Sequence, residues 1–131
     1  MSILGRRVPM MGIAALAALM VLAMLLPAMS STPAREITLV ARGMAFYAED
    51  APQTMNPTLE FKAGERVRVV LRNDDRGMTH DFAIPAVGVV VDPITWNERG
   101  EVVFDVPTTP GNYEYVCRPH LLMMRGAIRV Y

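Results

Sequence analysis

Cys117, His120, Met123 and Met124 fall within one short run, Tyr113-Glu114-Tyr115-Val116-Cys117-Arg118-Pro119-His120-Leu121-Leu122-Met123-Met124-Arg125-Gly126. Cys117 is the only cysteine of the chain, and His120 is one of only two histidines. A thiolate, an imidazole and a thioether in one loop make a soft, mixed donor set. Such a set suits copper, whereas magnesium and calcium want oxygen. The residues before Cys117, from Asn112, read as a strand, and Arg125 to Tyr131 read as another. The donors therefore sit on a tight connection between two strands, where a rigid scaffold can fix metal geometry.

The elements that must hold this loop are short and closely spaced. Glu36 to Arg42 alternates, with Ile37, Leu39 and Ala41 on one face, the pattern of a half-buried strand. Gly43 to Tyr47 reads as its continuation or a bulge, and Ala48 to Pro57 as a loop. Thr58 to Lys62 is a short strand, and Ala63-Gly64-Glu65 a turn. Arg66 to Arg72 alternates again, with Val67, Val69 and Leu71 inward. Asp81 to Ile84, Val87 to Val91 and Glu101 to Val106 add further strands, the first and last of them stopped by prolines. Seven or eight strands with turn chemistry between them, and no helical period, predict an all-β fold. The expected architecture is a two-sheet antiparallel sandwich or barrel with Greek-key connections.

The first part of the chain stands outside that fold. Arg6 and Arg7 precede an uncharged, mostly apolar run from Val8 to Met29, followed by Ser30 and Ser31. This is the pattern of an export signal. The run also has the length of about 20 residues that spans a bilayer, so a retained N-terminal anchor is the other reading. In either case the remainder is exported, to the periplasm or the outer face of the cytoplasmic membrane. The division is thus residues 1–30 as signal or transmembrane anchor and residues 31–131 as one domain. Without Arg6 and Arg7 the chain has 11 basic against 13 acidic residues. A net charge of −2 argues against nucleic acid or any strongly charged partner. A lone exported cysteine cannot form an internal disulfide; it is inert, intermolecular or a ligand.

The second histidine, His80, lies in Asn73-Asp74-Asp75-Arg76-Gly77-Met78-Thr79-His80-Asp81-Phe82, just ahead of a strand. Loops far apart in sequence meet at one end of a sandwich. His80 can then complete a trigonal set of two histidines and one cysteine with a weak axial methionine, the blue-copper arrangement. Gly111 to His120, the Met-x-Gly that follows, Leu71-Arg72-Asn73 and Thr79-His80-Asp81-Phe82 together resemble the cupredoxins of the plastocyanin, amicyanin and pseudoazurin group. The resemblance runs from Ile37 to Tyr131. It implies a Greek-key β-sandwich, one type 1 copper ion, and one-electron transfer between larger redox proteins that dock transiently on a monomer. It implies His80, Cys117 and His120 as ligands. For the axial position the family's Met-x-Gly pattern indicates Met124, while an amicyanin-like His-x-x-Met spacing indicates Met123.

Relatives commonly carry Asn after the first histidine and Ser or Thr after the cysteine, hydrogen-bonded across the ligand loops. Here Asp81 and Arg118 occupy those places, and a carboxylate–guanidinium bridge is expected instead. Trp96 is expected in the core, and Met78 beside His80. Met44 and Met55 have no role in this scheme; they would suit the alternative of a copper carrier or sensor without an electron-transfer role. The carboxylates form no acid–base pair, and there is no phosphate loop or nucleophile elbow, so no enzyme is expected. An oxidase or nitrite reductase needs further copper ligands, and no histidine is left to supply them.

Overall fold

Alternation of apolar and polar residues builds two facing sheets. The computed structural model describes residues 34–131; the expected signal or anchor lies outside the described residues. The strands are β1 (Arg35–Arg42), β2 (Ala45–Ala48), β3 (Ala51–Met55), β4 (Leu59–Phe61), β5 (Arg66–Asn73), β6 (His80–Ile84), β7 (Val89–Ile94), β8 (Arg99–Asp105), β9 (Gly111–Val116) and β10 (Arg125–Val130). One sheet has the order β3-β2-β1-β5-β8 and the other β4-β10-β9-β6-β7. Among the described residues no helix is long and apolar enough to cross a membrane.

The fold is the two-sheet cupredoxin-like sandwich that the sequence predicts, but its sheets are not purely antiparallel. β1 pairs with β5 and β4 with β10 in parallel, because each pair is joined through strands that cross to the opposite sheet. Val67, Val69 and Leu71 of β5 point inward and are fully buried, beside Leu39 and Ala41 of β1. Phe61, Phe82, Ile84, Tyr115 and Ile128 fill the facing side. Phe46, Phe82 and Tyr115 form the aromatic centre, with ring centroids 5.4–6.2 Å apart. Each such ring or branched chain stabilises the fold by about 1.5–3 kcal/mol on burial. The Tyr115 hydroxyl donates to the Pro57 carbonyl at 2.6 Å, so the buried ring leaves no polar atom unpaired. A Cβ at Gly126 would overlap the Tyr115 ring, which explains a glycine at the start of β10.

Three local expectations are corrected. Gly43 to Tyr47 is not a continuation of β1. Gly43 and Met44 adopt φ of 57° and 62° and reverse the chain into β2. The stretch from Ala48 to Pro57 contains β3, whose five residues are all exposed. It pairs only with β2 at the sheet edge, where Pro52 is tolerated. Trp96 is not in the core; it lies on the turn after β7, 46% exposed, with the Arg76 guanidinium 4.2 Å from its ring centroid.

Candidate metal centre

His80 opens β6, where its backbone faces Ile94 of β7 and a register shift follows before Phe82. Such an irregularity breaks the alternation of side chains. All five residues of β6 are buried, so His80 and Asp81, although consecutive, are both shielded from solvent, at 0% and 1% exposure. Cys117 follows β9 in extended conformation, and Arg118–His120 form a single 3-10 turn with Pro119 in its first turn. The turn is closed by its own backbone. The His120 amide donates to the Cys117 carbonyl at 3.0 Å, the Met124 amide to the His120 carbonyl at 2.9 Å, and the Cys117 amide to the Met124 carbonyl at 2.9 Å.

These elements bring three donors together. Cys117 Sγ lies 3.5 Å from His120 Nδ1 and 3.8 Å from His80 Nδ1. The three donor atoms all fall within 4.8 Å of one another. Cys117 and His80 are buried and His120 is half-buried, so His120 is the one nearest solvent. Met124 is fully buried in the same core cluster as Cys117. Met123, one residue earlier, is 60% exposed, and its carbonyl accepts from Asn56 Nδ2 at 3.1 Å.

Burial pushes the Cys117 thiol up to about 11, against a backbone N–H from Asp81 that favours the thiolate. That N–H lies 3.5 Å from Sγ. Burial also lowers the affinity of His80 for a second proton, with Asp75 opposing. His80 is therefore a neutral imidazole at neutral pH, with one lone pair free. A buried sulfur that resists ionisation unless a cation is beside it, faced by two imidazole nitrogens, fits a soft, thiophilic metal ion.

The surrounding contacts hold these donors still. Asp81 Oδ1 accepts the Arg118 backbone N–H at 2.7 Å, and Oδ2 accepts Arg118 Nε at 2.6 Å. The expected bridge thus forms, but only one arm is guanidinium and the other is main chain. Asn73 is buried; its Nδ2 donates to the Met78 and Ile94 carbonyls at 2.9 and 3.0 Å, and its Oδ1 accepts from the Asp75 amide at 2.8 Å. Sequence reasoning missed Asp75, whose carboxylate meets His80 Nε2 at 3.0 Å. Burial pushes the Asp75 carboxyl up, but N–H donation from Gly43, Met44 and His80 outweighs it and leaves the carboxyl below its ordinary value. The signal available was general: a ligand histidine needs an acceptor for its other nitrogen. Met44 lines a shallow groove with Arg118, Pro119, His120, Leu121, Leu122 and Met123.

Residues 44–131 match the family of copper binding proteins described as plastocyanin/azurin. The chain belongs to this family, the cupredoxins, and copper is its cofactor. Rusticyanin of Acidithiobacillus ferrooxidans is 33% identical over 95 residues, which cover 60% of this chain and 51% of rusticyanin. The chain thus spans about half the length of the curated relatives it matches. The solved structure of rusticyanin from Thiobacillus ferrooxidans superimposes with a TM-score of 0.53 at 26% identity, over 77% of this chain and 79% of that one. Auracyanin B gives a TM-score of 0.60 at 23% identity over 78% and 92%, a likeness of fold alone.

Proposed function

We propose that the chain is an exported type 1 copper protein that carries single electrons between larger redox proteins. In this reading His80 Nδ1, Cys117 Sγ and His120 Nδ1 would hold the copper, with the Met124 thioether as a fourth, weaker donor. The observation that carries it is the convergence of one sulfur and two imidazole nitrogens within 4.8 Å of one another. Copper bound there supplies a one-electron couple between Cu(II) and Cu(I).

The chain's own residues do the rest. Cys117 and His80 are held in the interior by β9 and β6, away from water. The Asp81–Arg118 contact ties their two loops together, so the donors keep their places when the charge between them changes. His120, half-buried, is the route outward. Pro119, Leu121, Leu122 and Met123 surround it, with Leu122 92% exposed. An apolar rim around a ligand edge suits short-lived docking, since interfaces of electron-transfer encounters are small. Met124 rather than Met123 would be that fourth donor because it is buried and its backbone closes the loop that carries Cys117 and His120.

The test is a spectrum of the copper-loaded protein. An intense visible thiolate-to-Cu(II) band that one electron equivalent bleaches reversibly is the expected result. A protein that binds only Cu(I), without colour in any state, would overturn the proposal in favour of a copper carrier.

A further inference from the structure

The His80 ring has two nitrogens, and the fold decides what each does. Nδ1 faces Cys117 Sγ. Nε2 is buried, and a buried N–H without an acceptor costs about 1–3 kcal/mol. Asp75 supplies the acceptor: its Oδ2 lies 3.0 Å from Nε2. This carboxylate is not on a loose tether. Its Oδ1 accepts from the Gly43 amide at 2.7 Å and its Oδ2 from the Met44 amide at 3.3 Å. Gly43 and Met44 both have positive φ, at 57° and 62°, so the tip between β1 and β2 offers successive N–H groups as an anion-receiving nest. The Asp75 amide is in turn held by Asn73 Oδ1 at 2.8 Å.

The two carboxylates nearest the centre differ in charge balance. Asp81 is paired with the Arg118 guanidinium. Among the described residues Asp75 has only the His80 ring as an ion-pair partner. We propose that Asp75 is a positioning residue for the metal centre: it holds the Nε2 proton of His80, commits Nδ1 to the ligand role, and sets an unneutralised carboxylate one hydrogen bond from a ligand. This inference rests on the proposed ligand set. A carboxylate behind a ligating imidazole strengthens it as a donor. The more positive, oxidised state gains most from a strengthened donor and a nearby negative charge, so Asp75 lowers the reduction potential.

Two measurements test this. Asp75→Asn keeps the side-chain shape and one acceptor oxygen for His80 Nε2, but removes the charge and puts an amide NH2 where the other oxygen accepted from Gly43. Outer-shell changes of this kind typically alter metal affinity by about 10–100-fold. The lower end of that range, applied to the oxidised state over the reduced one, is a tenfold shift, or about 59 mV upward for a one-electron couple. Asp74→Asn is the control, since Asp74 is exposed and paired with Arg72; its potential should match the unaltered protein. The second measurement needs no metal. In the 15N-labelled, copper-free chain, His80 should show a slowly exchanging Nε2–H resonance that persists in Asp75→Asn and disappears in Asp75→Ala. Equal potentials for Asp75→Asn and Asp74→Asn, or a His80 ring protonated on Nδ1 rather than Nε2, would overturn the inference. Failure of the ligand assignment itself reads differently: the unaltered copper-loaded protein would lack the blue band while the Nε2–H resonance remained.

Discussion

Cys117 is a thiol that the fold makes a poor acid, and this has a consequence for the copper-free chain. Its ordinary value is 9.0, and burial pushes it up to about 11. A folded-state value above the unfolded one contributes stability that is complete below pH 9 and is lost as pH rises toward 11. The loss across that window is about 2–3 kcal/mol, at about 1.4 kcal/mol per tenfold change in proton affinity. Denaturant unfolding of the copper-free protein at pH 8 and pH 11 should show it, and Cys117→Ser should lack this component while keeping the contribution of Tyr115, which burial also raises. With copper, the same Cys117→Ser variant should fold and lose the blue band. Met124→Leu should leave copper bound and coloured with a raised potential, because a thioether that favours Cu(II) is gone; Met123→Leu, altering an exposed side chain, should change the potential little. The reverse ranking, read by voltammetry, would move the axial contact to Met123. The meeting of His80, Cys117 and His120 was legible because no other Cys or His exists to compete. Asp75 was not, because its role depends on the tip at Gly43 and Met44, and no local pattern links those residues to a histidine on β6.

At the scale of elements, the centre is two connections from different parts of the chain fastened to each other. The β5–β6 connection delivers His80, and the β9–β10 connection delivers Cys117 and His120. Asp81 fastens them with two bonds of different kinds, to the Arg118 main chain and to Arg118 Nε. The substitutions should therefore be unequal. Arg118→Ala removes one bond from a guanidinium side chain that is 49% exposed; after solvent screening this costs about 1 kcal/mol. Asp81→Ala removes both and leaves the Arg118 amide without its acceptor, at about 2–3 kcal/mol. A double-mutant cycle read by thermal unfolding of the copper-free protein should give a coupling near the Arg118→Ala value. Strictly additive losses would show that the bond between the side chains contributes nothing. Alternation made β1 and β5 readable in sequence, since Val67, Val69 and Leu71 repeat every second residue. The turn into β2 was not readable, because methionine at φ 62° is no turn signal. β3 was hidden for the opposite reason: it buries nothing, so no apolar period marks it. Trp96 was misplaced because its size suggests the core, whereas its ring is partnered by Arg76 at the surface.

Over the described domain, the end that carries His80, Cys117 and His120 differs from the sheet faces. The faces are covered by exposed ion pairs such as Arg66–Asp105, Arg68–Glu101 and Arg129–Glu60, while the end around His120 presents Leu121, Leu122 and Met123. With His120 as the proposed exit, exchange of electrons between an oxidised and a reduced copy brings two such ends together. Leu122 is 92% exposed, so Leu122→Lys should change stability by no more than about 0.5 kcal/mol. It touches no donor, so the colour and potential should stay. It does set like charges face to face whenever two copies meet end to end. A penalty of about 1.4 kcal/mol there corresponds to a tenfold slower self-exchange, measurable from NMR line widths in mixtures of the two oxidation states. Added salt should recover part of the rate, because screening acts on the new charges. Val103→Lys, on the β8 face at 37% exposure, adds the same charge away from this end and should leave the rate near its original value. Equal slowing by the two substitutions would mean that net charge, not contact at the His120 rim, governs the encounter, and the exit would have to be sought elsewhere on the surface.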